Sequence, residues 1–99
     1  MRTARAVVKK RPMNIVQAFG LVIRELRISK GWSMMKLGET AGGMSANQIG
    51  NIELAKHAPG LETISLLAQA LDISLPELFR RVEVELSQSP RRNRKANNG

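Results

Sequence analysis

From Asn14 to Leu86 the apolar residues recur at spacings of three and four, as they do in helices that bury one stripe. Ile15, Phe19, Val22, Ile23 and Leu26 predict a first helix from about Asn14 to Lys30. Lys30 suits the negative end of the helix dipole, and Gly31 is a natural stop. Trp32 is expected to fold back onto the core as an anchor. Ser33 can cap a short second helix from Met34 to Ala41, with Leu37 facing inward, and Gly42-Gly43 breaks it. Ser45 and Gln48, three residues apart, form a capping box that opens a third helix from Ala46 to about Leu54, buried through Ile49 and Ile52. After Pro59-Gly60, a fourth helix from Leu61 to Leu71 presents Leu61, Ile64, Leu67, Ala68 and Leu71 to the core. A second capping box, Ser74 with Glu77, starts a fifth helix through Leu78, Phe79 and Val82, with Pro76 tolerated in its first turn. No segment alternates strongly enough to be a strand, so the expected fold class is all-α.

The two ends do not share this periodicity. Residues 1–13 are basic and small and stop near Pro12, and residues 87–99 are polar, basic and interrupted by Pro90. Both read as flexible tails around a domain spanning 14–86. Charge follows the same division. The chain carries +8 overall. Arg2, Arg5, Lys9, Lys10 and Arg11 lie in the first segment without an acid, and Arg91, Arg92, Arg94 and Lys95 outnumber Glu85 at the other end. Residues 14–84 are balanced, with basic and acidic side chains in equal number. A basic excess points to polyanionic partners, and here it sits in the tails.

Composition removes several function classes. There is no cysteine and one histidine, His57, so neither a thiolate nor a multi-histidine metal site can form. Met34, Met35 and Met44 fall at helical spacing and read as packing, not as a soft metal site. Acidic residues are scattered among basic neighbours, no Ser/His/Asp set assembles, and no glycine-rich loop follows a strand. The chain is therefore read as a non-enzyme without cofactor or metal. No apolar run approaches the roughly 18 residues that a bilayer crossing needs, so a cytoplasmic location without membrane contact is expected.

The second helix, the Gly42-Gly43 turn and the third helix make a candidate helix-turn-helix between Ser33 and Leu54. Such a unit needs a small residue where the helices cross, a turn that folds the chain back and an apolar inner face on the second member. Gly38, the glycine pair, and Ile49 with Ile52 supply these. The outer face then carries Ala46, Asn47, Gly50, Asn51 and Leu54, with Gln48 at its flank. Short amides near a helix N-terminus suit base edges, because Asn and Gln can pair bidentately with adenine. Gly50 has two readings: close approach of backbone to DNA, or a side chain that is dispensable.

The stretches FGLVIRELRISKGWS, LGETAGGMSANQIGNIE and LETISLLAQALDISLPELF, in order over residues 19–79, resemble the XRE family, the helix-turn-helix family of the phage Cro and CI repressors. The resemblance implies a five-helix lambda-repressor-like domain whose third helix enters the major groove of double-stranded DNA. By position it implies that Ala46, Asn47, Gln48 and Asn51 face bases, and that Ser33, Ser45 and Lys56 touch the backbone. It also implies a structural ion pair between Arg27 and Glu53 that aims the third helix. Three departures stand out. Met34 replaces the usual Gln; the turn AGGMS is one residue longer than usual; and Ala55 stands where a Gly usually closes the third helix, so a different helix end is expected.

These readings converge on a sequence-specific transcriptional regulator of bacterial or phage type that occupies an operator as a homodimer. Leu75, Leu78, Phe79, Val82, Val84 and Leu86 exceed what the fifth helix needs for inward packing and are the expected dimer surface. Arg2, Arg5, Lys9, Lys10 and Arg11 form a candidate DNA arm. The alternatives are an antitoxin that also binds a toxin protein, a restriction–modification controller, and a helical protein-interaction domain without DNA binding.

Overall fold

The computed structural model describes residues 13–88. The candidate arm, from Arg2 to Arg11, and the segment from 89 onward lie outside the described residues. The helices are α1 (Ile15–Ser29), α2 (Met34–Thr40), α3 (Ala46–Glu53), α4 (Leu61–Ala70) and α5 (Leu75–Gln88). Among the described residues there is no strand, and the fold is all-α as expected.

Side-chain caps set where four of the helices begin; α4 starts after Gly60 without one. The Asn14 side chain accepts from the Gln17 amide while the Gln17 side chain accepts from the Asn14 amide, each at 2.9 Å, a capping box that opens α1. The Ser33 hydroxyl accepts from the Lys36 amide at 3.0 Å and caps α2. The Ser74 hydroxyl accepts from the Glu77 amide at 3.2 Å. The return half expected of that box is not made, because the Glu77 carboxylate is taken by Arg80 at 2.7 and 2.9 Å and by Arg81 at 3.3 Å. The Arg80 guanidinium holds the Glu77 carboxyl below its ordinary range.

The first four helices end in one way. In each, the residue after the C-cap has positive φ; after α1, α3 and α4 two amides turn back onto two of the last carbonyls in a Schellman pattern, and after α2 two amides share the Gly38 carbonyl. Gly31, Gly42, Ala55 and Asp72 hold those positions, with φ of 73°, 90°, 60° and 57°. For α3 the bonds are Ala55 to Ile52 at 3.1 Å and Lys56 to Asn51 at 2.8 Å. The expected change of ending at Ala55 is therefore overturned. Two hydrogen bonds to otherwise unpaired carbonyls outweigh the unfavourable left-handed conformation of an alanine.

The core brings Ala18, Phe19, Val22 and Ile23 of α1 against Leu37, Ile49, Ile52, Leu67, Leu78 and Val82. Helix α1 packs on α3 and α5, and α2 packs on α3. Three expectations need correction here. Leu61 is 83% exposed; as the first residue of α4, next to Gly60, it precedes the turn that meets the core. Leu78 and Val82 are fully buried within the chain's own core, so they are unavailable as a dimer surface. Of that set, Leu75, Phe79 and Val84 stay exposed and Leu86 is half-buried. Finally, α5 runs through Gln88, two residues past the expected end of the domain.

Candidate nucleic-acid interface

Two helices must cross closely for a helix-turn-helix to form, and glycine permits it here. A Cβ on Gly38 would overlap the Met44 carbonyl oxygen and sit 3.5 Å from the Ile49 side chain. The longer turn is absorbed by two consecutive positive-φ glycines, Gly42 and Gly43. The amides of Gly43 and Met44 both donate to the Gly38 carbonyl, at 3.0 and 2.8 Å. The added residue is thus accommodated with two turn amides held by one carbonyl, and α3 starts on a fresh cap.

That cap is a full capping box. The Ser45 hydroxyl accepts from the Gln48 amide at 3.1 Å, and the Ser45 amide donates to Gln48 Oε1 at 2.8 Å. Helix α3 buries Ile49, Ile52 and Glu53. Asn47 and Gln48 are exposed, and Ala46, Gly50 and Asn51 are half-buried. Leu54, the C-cap residue, is 67% exposed. Ser33, Ser45 and Lys56 are exposed at the ends of α2 and α3, as is His57 beyond them. The candidate base-facing residues are therefore brought together on one helix. The hydroxyls of Ser33 and Ser45 and the carbonyl oxygen of the Gln48 side chain are engaged in capping.

The aim of α3 is fixed from behind. Arg27 Nε donates to Glu53 Oε2 at 2.7 Å and Arg27 Nη2 donates to Oε1 at 3.0 Å, a bidentate buried pair. The hydrogen bond to Glu53 raises the Arg27 pKa further above its ordinary value. Arg27 Nη1 donates to the Trp32 carbonyl at 2.8 Å, so one guanidinium joins α1, the α1–α2 loop and the end of α3. Trp32 is half-buried against the core. The Lys30 and Lys36 ammonium groups lie 5.3 and 5.7 Å from its ring centroid.

Sequence reasoning missed two parts of this arrangement. Gly20 lets α1 touch the end of α3: a Cβ there would lie 2.7 Å from the Glu53 carbonyl oxygen. A glycine inside a helix costs about 1 kcal/mol relative to alanine and was the available signal. Gly50 is also not open toward the outside. A Cβ at this position would meet Met34 Sδ at 3.4 Å, so the residue that departs from the family pattern covers the glycine. Among the described residues no group of His, Cys, Asp or Glu is arranged to hold a metal, and no helix is long and apolar enough to cross a membrane.

The helix-turn-helix family profile matches residues 23–78, from the middle of α1 into α5. Among solved structures, the restriction–modification controller protein C.AhdI from Aeromonas hydrophila is similar at 38% identity, TM-score 0.61, over 65% of this chain and 96% of that one. The clp gene regulator ClgR from C. glutamicum shares the fold at 19% identity, TM-score 0.70, over 75% and 95% of the two chains. The controller protein C.Esp1396I does so at 19% identity, TM-score 0.70, over 76% and 96%. No curated protein sequence matches this chain. With the two crossing helices, the capped amide-bearing helix and the profile match over more than half its length, the chain belongs to the XRE-type helix-turn-helix family of DNA-binding transcription regulators.

Proposed function

We propose that the protein is a non-enzymatic, sequence-specific regulator that binds an operator as a homodimer, with α3 in the major groove. The observation that carries this reading is the amide face of α3, Asn47, Gln48 and Asn51, on a helix capped at Ser45 and clamped by Arg27 and Glu53. A rigid helix presenting short amides can pair with adenine edges at defined positions. Ala46 offers a methyl contact beside them, and Ser33, Ser45 and Lys56 flank the helix where a phosphate backbone would run.

Residues 13–88 hold seven basic and eight acidic side chains, so this segment contributes little net attraction to phosphates. The cations that neutralise the DNA are Arg2, Arg5, Lys9, Lys10 and Arg11. The two-fold contact forms through the exposed edge of α5, Leu75, Phe79 and Val84. Phe79 is anchored by a tilted ring contact with Phe19 at 6.3 Å between centroids.

Selection from random duplexes, with and without Asn47→Ala and Asn51→Ala, tests the reading. A palindrome with half-sites about one helical turn apart, losing specificity at separate positions in the two variants, is the expected result. No enriched motif would overturn it. A monomer at micromolar concentration in sedimentation would overturn the dimer.

A narrower reading is favoured by the similarity to C.AhdI, which extends over 96% of that controller's chain. On this reading the protein controls a restriction–modification operon from within the cytoplasm. Binding upstream of an adjacent methyltransferase or nuclease gene supports it; a small toxin that co-purifies with the protein points instead to an antitoxin.

A further inference from the structure

Helix α3 presents two adjacent rows. Residues four apart on a helix stack on one face, so Asn47 and Asn51 make one row and Ala46, Gly50 and Leu54 make the next. The second row is wholly apolar. Its middle position has no side chain, and Met34 of α2 lies beside it, with Sδ at contact distance, 3.4 Å, from where a Gly50 Cβ would be. Met34 is only half-buried, and Leu54 is 67% exposed.

An A·T pair offers the same two surfaces in the major groove. Adenine presents N7 and the N6 amino group to a bidentate amide, and thymine presents its C5-methyl group to an apolar side chain. We infer that Ala46, Met34 (seated on Gly50) and Leu54 form an apolar strip that reads the C5-methyl of a thymine beside the adenines taken by Asn47 and Asn51. Met34 is then a specificity-determining residue supplied by α2, partly buried against the core and lying beside Gly50 with its remaining surface open. Its unbranched, polarisable thioether can adjust to the methyl group. The inference rests on the operator-binding reading above.

The test uses the full chain and its selected operator, with each thymine replaced singly by deoxyuridine, which removes only the methyl group. For the unaltered protein, at least one symmetric pair of positions is expected to lose about fourfold in affinity, the worth of one buried methyl. In Met34→Ala or Leu54→Ala the same replacement is expected to cost less than twofold. Leu54→Ala changes an exposed side chain, so it keeps the test valid where Met34→Ala unfolds. Placing 5-methylcytosine at the responsive position is expected to recover less than thymine, because the exocyclic group opposite the amide row changes. Full recovery would mean that the strip reads any pyrimidine methyl and would overturn its assignment to thymine. A protein that selects an operator through Asn47 and Asn51 but is indifferent to every deoxyuridine overturns this inference alone. A protein that selects no operator overturns it together with the DNA-binding reading.

Discussion

At the scale of single residues, Ala55 carries a stored cost. An L-residue in the left-handed region is unfavourable by about 1–2 kcal/mol, and glycine removes most of this at some entropic loss. Ala55→Gly is therefore expected to stabilise the fold by about 0.5–1 kcal/mol, read as a higher urea midpoint with unchanged slope. Asp72, at the equivalent place after α4, has a side chain that tolerates the left-handed region; Asp72→Gly is expected to gain less. Arg27 and Glu53 pull the other way. Removing one partner of a buried pair strands the other, so Glu53→Ala is expected to cost about 3–5 kcal/mol. Chemical denaturation checks this. The Arg27–Glu53 pair entered the sequence reading through the family pattern, since two residues 26 positions apart leave no local signal. The Ala55 ending was misjudged because propensity was weighed without the two hydrogen bonds that the left-handed residue makes available.

At the scale of elements, the start of a helix was more legible than its packing. The caps at Ser33 and Ser45 and the glycine turn are written in a few adjacent residues, and the structure contains them. The exposure of Leu61 depends on which face of α4 meets the core, which periodicity fixes only to within a residue or two; the partners of Glu77 lie three and four residues on in the same helix, a local signal that the capping-box reading passed over. Gly38 shows how a single hydrogen atom sets the α2–α3 crossing. Gly38→Ala is expected to destabilise by about 1–3 kcal/mol, because the opposing atom is backbone and cannot rotate away. The shift is read in a thermal melt. Ser45→Ala is expected to cost about 1 kcal/mol, because the Gln48 backbone amide loses its acceptor while the bond from the residue 45 amide to Gln48 Oε1 remains; a small stability change with unchanged base preference in operator selection is the expected signature.

At the scale of the whole molecule, geometry and charge are supplied by different parts of the chain. The described helices are close to neutral, while the first eleven residues carry five cations. Each neutralised phosphate contributes about −0.9 to the slope of log affinity against log salt. Deleting residues 1–12 is therefore expected to flatten that slope by up to about 4.5 per protomer while leaving the preferred operator sequence unchanged. An unchanged slope would assign the electrostatic term to Lys30, Lys36 and Lys56 instead. The all-α class and the order of the five helices were legible because the helices carry apolar stripes and four of them open on a side-chain cap, α4 being marked instead by Pro59-Gly60. The dimer surface was less so: Leu78 and Val82 look surplus in sequence and prove to be core.

The position of Trp32 has a practical consequence. The chain contains no tyrosine and a single tryptophan, so its fluorescence above the phenylalanine region arises from one indole. That indole sits beside two ammonium groups, and its own carbonyl is held by the guanidinium that clamps α3. Its emission is thus a label-free optical probe of the junction between α1 and α2, sensitive to loosening of α3 and to any anion that draws the lysines from the ring.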